Sequence, residues 1–418
     1  MSDHKVDTVV IGAGQAGIAI SQHLTENGIS HRVLEKNRIA EAWRTGRWDS
    51  LVANGPAWHD RFPGREFTGY EANQFVAKED VADYFEDYVT QFQLPVECGV
   101  EVTRVTKKDK QSGFMVETST GLIDANNVVV ATGPFHHPVI PSCAASLSSI
   151  QHLHSAQYYN PQQLAPGAVL VVGAGSSGVQ IADEIQRSGR QVYLSVGPHD
   201  RPPRRYRGQD FCWWLGVLGL WDATEHAPGK SHVTIAVSGA RGGETIDFRR
   251  LAQQGIILTG MTEAFTDDGV SFKADLLENI KNGDESYLAL LDAADAWVER
   301  NGADFPEEPS AREQVDDAEC LLFPLTRLDL TAAGVRSIIW ATGYTTDYRW
   351  LEVDVIDEQG KPRQHRGVSC ERGLYFLGLP WQSRRGSSFI WGVWHDAKYI
   401  ADQIAIQHNY LSHITPTA

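Results

Sequence analysis

Two stretches of this 418-residue chain carry the same signature, and the repetition is the strongest constraint on its fold. Val6–Leu24 reads VDTVVIGAGQAGIAISQHL, and Val169–Ile185 reads LVVGAGSSGVQIADEI after its first valine. Each is a run of β-branched residues, then glycines spaced G-x-G-x-x-G, then a helix-like segment. Gly12, Gly14 and Gly17 let the backbone turn tightly and approach a pyrophosphate, Ile18–Asn27 reads as the helix whose N-terminus faces that phosphate, and Gln15 in the loop is a further candidate contact. Gly173, Gly175 and Gly178, with Ser176 and Ser177 between the last two, repeat the device. The pattern predicts an α/β chain with two Rossmann-like dinucleotide-binding domains.

The two sites differ in charge. After the first helix, His31–Leu34 reads as a strand that ends in Glu35, a little over about twenty residues beyond the first glycine, where a carboxylate accepts hydrogen bonds from both ribose hydroxyls. That site suits FAD. Glu35 stands seven positions after the helix-ending Gly28, and the same step from Gly189 lands on Val196, followed by Gly197. No acid stands there. The next segment, GPHDRPPRRYRG, supplies Arg201, Arg204, Arg205 and Arg207, and guanidinium groups hold a ribose 2′-phosphate by charge-assisted hydrogen bonds. The second site therefore suits NADPH, with Arg201, Arg204 and Arg205 as its phosphate ligands.

NVVVATG (127–133) and SIIWATGY (337–344) are apolar strands ending in Ala-Thr-Gly, where small residues permit close passage of backbone beside a cofactor. Thr132, Gly133, Thr342 and Gly343 join the candidate cofactor contacts. These strands bracket the second glycine loop. The expected organisation is an FAD-binding domain of residues 1–148 and 335–418, with an NADPH-binding domain inserted as residues 149–334. Residues 262–319, rich in acids, read as an extra lobe of one or two amphipathic helices with a solvated face. GLYFLGLPW (373–381) reads as a last strand of the first sheet, and a closing helix is expected from about His395. Gln382 and Ser383 between them are expected flavin neighbours. The aromatics of DFCWWLGVLGLWD (210–222) either wall a substrate pocket or pack the insertion.

The order of two glycine loops and two Ala-Thr-Gly strands resembles the class B flavoprotein monooxygenases, the flavin-containing and Baeyer-Villiger enzymes that hold FAD and NADPH on one chain. AWRTGRWDSLVANGPAW (42–58) is similar to the run that passes over the flavin ring in the flavin-containing branch. The resemblance implies that Trp43, Arg44, Ser50 and Leu51 line the flavin, that Val102 is a further cofactor contact, and that Asn54 stands at the reactive C4a edge as the catalytic amide. It further implies reduction of FAD by NADPH, formation of a C4a peroxide from molecular oxygen, and oxygenation of a small organic substrate. Aligned on His154, the chain has Ser148 and Ile150 where the family carries phenylalanine and glycine, and keeps only HSAQYYNP (154–161). No motif assigns the arginine on which ketone oxidation relies, although Arg384 and Arg385 are free candidates, so oxygenation at nitrogen or sulfur is favoured over Baeyer-Villiger chemistry. The alternatives are an NADPH dehydrogenase that passes electrons to another acceptor and a non-catalytic redox-sensing flavoprotein.

A formal net charge of −16 argues against nucleic acid and anionic membranes as partners. Cys98, Cys143, Cys212, Cys320 and Cys370 form no C-x-x-C, and His136, His137, His152 and His154 lack metal-ligand spacing with an acidic partner. No apolar run reaches the roughly 18 residues of a membrane span. The expectation is a soluble cytoplasmic protein with a small substrate and oxygen as partners, compatible with a homodimer.

Overall fold

The computed structural model describes residues 4–108, 112–142, 147, 149–225, 234–266 and 269–413. β1 (His4–Ile11) is buried through Val9 and Val10 and turns through the first glycine loop into α1 (Gln15–Glu26). β2 (His31–Glu35) pairs parallel to one edge of β1, and β3 (Gly121–Val130) pairs parallel to the other. Strands rich in Val and Ile that are buried on both faces are what a parallel sheet requires. The antiparallel strands Val102–Lys107 and Phe114–Thr118 extend this sheet beyond β3.

The second unit repeats the plan with β4 (Ala168–Val172), α2 (Ser176–Arg187) and β5 (Val192–Ser195). Its further elements include the short strand β6 (Thr234–Ile235), which pairs with His199–Asp200, the long helix α3 (Leu276–Asn301) and β7 (Val335–Trp340). Five parallel strands make its sheet, in the order Ile257–Thr259, β5, β4, β7, Gln151–His154. The chain returns to the first sheet by Leu351–Glu352 and then β8 (Leu374–Phe376), and closes with α4 (Ile390–Ser412). α4 lies against α1, where the Trp394 and His23 rings stand 4.3 Å apart. His137–Pro138 and Tyr344–Thr345 pair antiparallel where the chain passes between the units.

Three boundaries differ from the sequence reading. β7, expected as the first domain's return at residue 335, lies in the second sheet between β4 and Gln151–His154. Its apolar run suits either parallel sheet, and only strand pairing decides. The lobe at 262–319 begins with an antiparallel pair, Thr262–Phe265 with Gly269–Phe272, and only then enters α3. α4 starts at Ile390 rather than about His395, so Trp391 and Trp394 belong to its first turns.

The two glycine loops are built alike in detail. Gly12 and Gly173 have φ of 103° and 101°, a region that disfavours any side chain. A Cβ on Gly17 would lie 1.8 Å from the Gly12 carbonyl oxygen, and one on Gly178 1.9 Å from that of Gly173. Each loop is also crossed by one Ala-Thr-Gly segment. A Cβ on Gly12 would lie 2.8 Å from the Ala131 oxygen, and one on Gly173 2.5 Å from the Ala341 oxygen. This contact explains why β7 belongs beside β4. Gly178→Ala should lower stability by about 3 kcal/mol, because backbone has to move to admit the methyl. Urea denaturation of variant and parent measures this, and equal midpoints would contradict the packing.

Candidate dinucleotide sites and the Asn54 turn

At the first loop, Gly14 has no neighbour within 4 Å of its Cβ direction, so the approach to the backbone amides is open. Glu35 ends β2 with Oε2 accepting from the Ala13 amide at 2.9 Å and Oε1 from the Asn37 amide at 2.8 Å. Those bonds hold the carboxylate at the loop and leave lone pairs for a ribose. Gln15 Nε2 donates to the Ser388 carbonyl at 2.8 Å and ties the start of α1 to the turn before α4. Nearby, buried Gln382 has an Nε2 without a partner among the described residues, and Ser383 Oγ donates to Asp396 Oδ1 while Asp396 Oδ2 has none. A buried polar atom left unpaired costs about 1–3 kcal/mol and calls for a partner. An open second glycine, a fixed ribose acid and orphaned polar atoms beside α4 fit FAD.

The expected flavin-lining run divides. Trp43 is half-buried and packs against the cores of both units. Arg44 instead pairs with Asp83 at 3.0 Å and Glu86 at 2.9 Å on the outer helix Lys78–Gln91. Ser50 Oγ donates to Glu184 on α2 at 2.6 Å, and Leu51 is buried in the second unit's core. The run therefore spans the junction of the two units, because its polar residues find partners on helices outside the motif. Thr132 Oγ1 bonds His136 Nε2 at 2.9 Å just before Gly133, and Val102 opens an antiparallel strand two residues after Val100, whose amide donates to the Glu35 carbonyl at 3.0 Å.

The second loop is covered. A Cβ on Gly175 would lie 2.3 Å from Thr234 Cγ2, Ser176 Oγ donates to the Ile235 carbonyl at 2.7 Å, and Ser177 is half-buried beside them. Thr234 thus stands where a Cβ on the second glycine would point. Thr342 Oγ1 donates to the Val139 carbonyl at 2.5 Å, and the Gly343 carbonyl meets buried His154, whose pKa burial lowers.

Two of the three expected phosphate ligands are committed elsewhere. Arg201 Nε and Nη2 donate to Asp284 Oδ1 at 2.9 and 2.6 Å, and Arg249 takes the other oxygen of that carboxylate at 2.6 Å. Arg204 is 1% exposed, with Nε and Nη2 on Asp210 at 3.1 and 2.5 Å and Nη1 on the Asn54 carbonyl at 2.6 Å. Its guanidinium lies over the Phe75 ring at 4.9 Å. A guanidinium this deep is stable only with such partners. Arg205 alone is exposed.

Asn54 is half-buried where the units meet. Its Oδ1 accepts from Gln180 Nε2 on α2 at 3.0 Å, which fixes the amide and directs Nδ2, a donor, elsewhere. Asp60 Oδ2 accepts from the Gly55 amide at 2.9 Å, and Asp60 Oδ1 bonds His59 Nδ1 at 2.7 Å. The His59, Trp221 and Trp391 rings form a triangle, with His59 5.2 and 5.4 Å from the two indoles and the indoles 5.8 Å apart, and the buried His59 Nε2 has no partner among the described residues. His59, Asp60 and Gln180 were missed from sequence. The motif comparison ended at Trp58, one residue short of His59, and nothing local ties Gln180 to position 54. The 210–222 aromatics divide between packing, with Trp214 fully buried, and this stack through Trp221.

Residues 9–207 match the family model described as pyridine nucleotide-disulphide oxidoreductase. The chain is 37% identical over 406 residues to the oxidoreductase CzcO-like of Geobacillus kaustophilus, covering 96% of this chain and 99% of that protein. It belongs to the CzcO-like oxidoreductases. It is also 25% identical over 409 residues to the probable indole-3-pyruvate monooxygenase YUCCA4 of Arabidopsis thaliana, across 96% of this chain and 90% of that one. Among solved structures, the flavin-containing monooxygenase of Stenotrophomonas maltophilia matches with a TM-score of 0.67 at 20% identity, over 97% of this chain and 99% of that one. The α/β fold and the resemblance to the class B flavoprotein monooxygenases are thus borne out. Among the described residues no group of three or more His, Cys, Asp or Glu is placed to hold a metal ion, and no helix is long and apolar enough to cross a membrane. Cys98, Cys212, Cys320 and Cys370 are free, while Cys143 and Ser148 lie outside the described residues.

Arg204→Ala should cost about 3–5 kcal/mol of stability, since it strands Asp210 in the interior. It should leave the ratio of NADPH to NADH affinity unchanged. Denaturation and coenzyme titration check both, and a selective loss of NADPH binding without destabilisation would return Arg204 to the phosphate site.

Proposed function

We propose that this oxidoreductase is an FAD- and NADPH-dependent monooxygenase acting on a small organic substrate, with oxygenation at nitrogen or sulfur favoured over ketone oxidation. The overall reaction takes substrate, O2, NADPH and a proton to oxygenated substrate, NADP+ and water. Bound FAD supplies the hydride acceptor and the centre that activates oxygen. The observation that carries this reading is the Asn54 turn, held from the second unit by Gln180 and Arg204 while it belongs to the first.

The chain's own residues do the positioning. Gly12, Gly14 and Gly17 with the start of α1 offer backbone amides to a pyrophosphate, and Glu35 holds the ribose. Gln180 holds the Asn54 amide through Oδ1, which leaves Nδ2 as a preorganised donor, and Arg204 stops the turn from shifting. Preorganised donors of this kind stabilise negative charge that develops on oxygen, at no reorganisation cost during reaction. Trp58, Trp221 and Trp391 around His59 form an apolar wall beside the turn, which helps keep water away. Arg384, one candidate for ketone chemistry, is paired with Asp222 at 2.7 Å, which supports the preference for nitrogen or sulfur. Arg385 favours the second reading, ester-forming oxidation of ketones. It is half-buried, and burial lowers its pKa while the nearby Asp200 carboxylate opposes that shift.

Purified protein should be yellow, with one FAD per chain released by denaturation. Colourless protein that cannot be reconstituted with FAD would contradict the reading. Offered a thioether and a cyclic ketone with NADPH, the enzyme should give the sulfoxide, and lactone as the main product would favour the Arg385 route. Asn54→Ala should still be reduced by NADPH but release hydrogen peroxide in place of product, with a loss of about 2.7–4 kcal/mol in the oxygen step, or roughly 100- to 1,000-fold. Unchanged coupling of NADPH oxidation to product would make Asn54 a turn residue only.

A further inference from the structure

We propose that Thr234–Val237 is a strap over the second glycine loop, that the Thr234 methyl stands at the seat of the coenzyme's pyrophosphate, and that NADPH binds only when Thr234 and Ile235 swing away. The proposal rests on the reading of this loop as the coenzyme site.

The chain supplies its own control. The two loops agree at the first glycine, in φ and in the Ala-Thr-Gly carbonyl that crosses it, and at the third, in its contact with the first glycine's oxygen. They differ at the second. Gly14 faces open space, whereas Gly175 faces Thr234 Cγ2 at 2.3 Å from its Cβ direction. The second glycine is the one that lets backbone approach the pyrophosphate. A methyl group and a phosphate oxygen cannot share that volume, so either Thr234 leaves or the phosphates stay out.

The strap is held by few bonds. Ser176 Oγ donates to the Ile235 carbonyl at 2.7 Å and accepts weakly from the Val237 amide at 3.3 Å. The Ala236 amide donates to the Asp200 carbonyl at 2.8 Å, and Gln180 Nε2 donates to the Val237 carbonyl at 2.8 Å. Ala236 is fully buried and serves as the anchor, while Thr234 is exposed and Ile235 half-buried. Movement at Thr234–Ile235 therefore uncovers little apolar surface. Gln180 is shared, since the same amide nitrogen holds Asn54 Oδ1 at 3.0 Å. Displacing the strap so changes what competes for the group that orients Asn54, and this links coenzyme entry to the oxygen site.

The test uses FAD-loaded protein and NADP+ by calorimetry, with amide hydrogen exchange over the strap. Thr234→Gly should bind NADP+ more tightly, at least about threefold, because a larger share of molecules is already competent. Adenosine 2′-monophosphate, which lacks the pyrophosphate, should bind both proteins equally. In the parent, NADP+ should speed exchange at Thr234 and Ile235 while the anchored Ala236 amide stays protected, a response that does not depend on the variant folding well. Unchanged or weaker NADP+ binding by Thr234→Gly, or Thr234 and Ile235 amides as slow with NADP+ as without it, would overturn the strap while leaving the coenzyme site intact. Failure of both proteins to bind NADP+ would overturn the coenzyme reading and the strap with it.

Discussion

The buried guanidinium of Arg204 fixes where the two units meet. It lies in the second unit, grips Asp210 there, and reaches across to the Asn54 carbonyl of the first. A charge in that position without partners would be expelled or would unfold its surroundings, so its presence demands that Asp210 and the Asn54 turn stay together. Ser50 with Glu184, and Asn160 with Asp49 at 2.7 Å, add cross-links along the same junction. The distance between the two glycine loops is thereby set by packing within the junction.

Two dinucleotide units on one chain make sense as an electron route, one loop holding the donor and the other the acceptor. The structure adds an asymmetry to that route. The first loop is open at Gly14 and its ribose acid is in place, while the second is covered at Gly175, and Arg201 and Arg204 are paired with buried carboxylates. A permanently bound cofactor suits the first arrangement. A coenzyme that must enter and leave on every turnover suits the second.

Much of this was legible in the sequence, where the cause is local. The glycine spacings, the strands that feed them and the placement of Glu35 depend on residues close together along the chain, and all appear as read. Arg201 and Arg204 were read as phosphate ligands because their carboxylate partners went unseen. Asp284 lies 83 residues from Arg201, and no pattern near the RPPRR segment announces it. Asp210, only six residues from Arg204, was a signal that could have been weighed. Residue 335 was misplaced because apolar strands of two parallel sheets look alike, and the carbonyl contact of Ala341 with Gly173 that distinguishes β7 appears only in three dimensions. The cover at Gly175 is likewise invisible in sequence, since Thr234 is 59 residues away and carries no motif.

Anaerobic mixing of the FAD-loaded protein with NADPH, followed at the flavin absorbance, addresses the electron route most directly. Bleaching of the flavin at a rate that saturates with NADPH is the predicted result, since hydride then passes from a bound coenzyme to a bound flavin within one chain. A flavin that stays oxidised, or one reduced at a rate that rises linearly with NADPH and never saturates, would contradict the account.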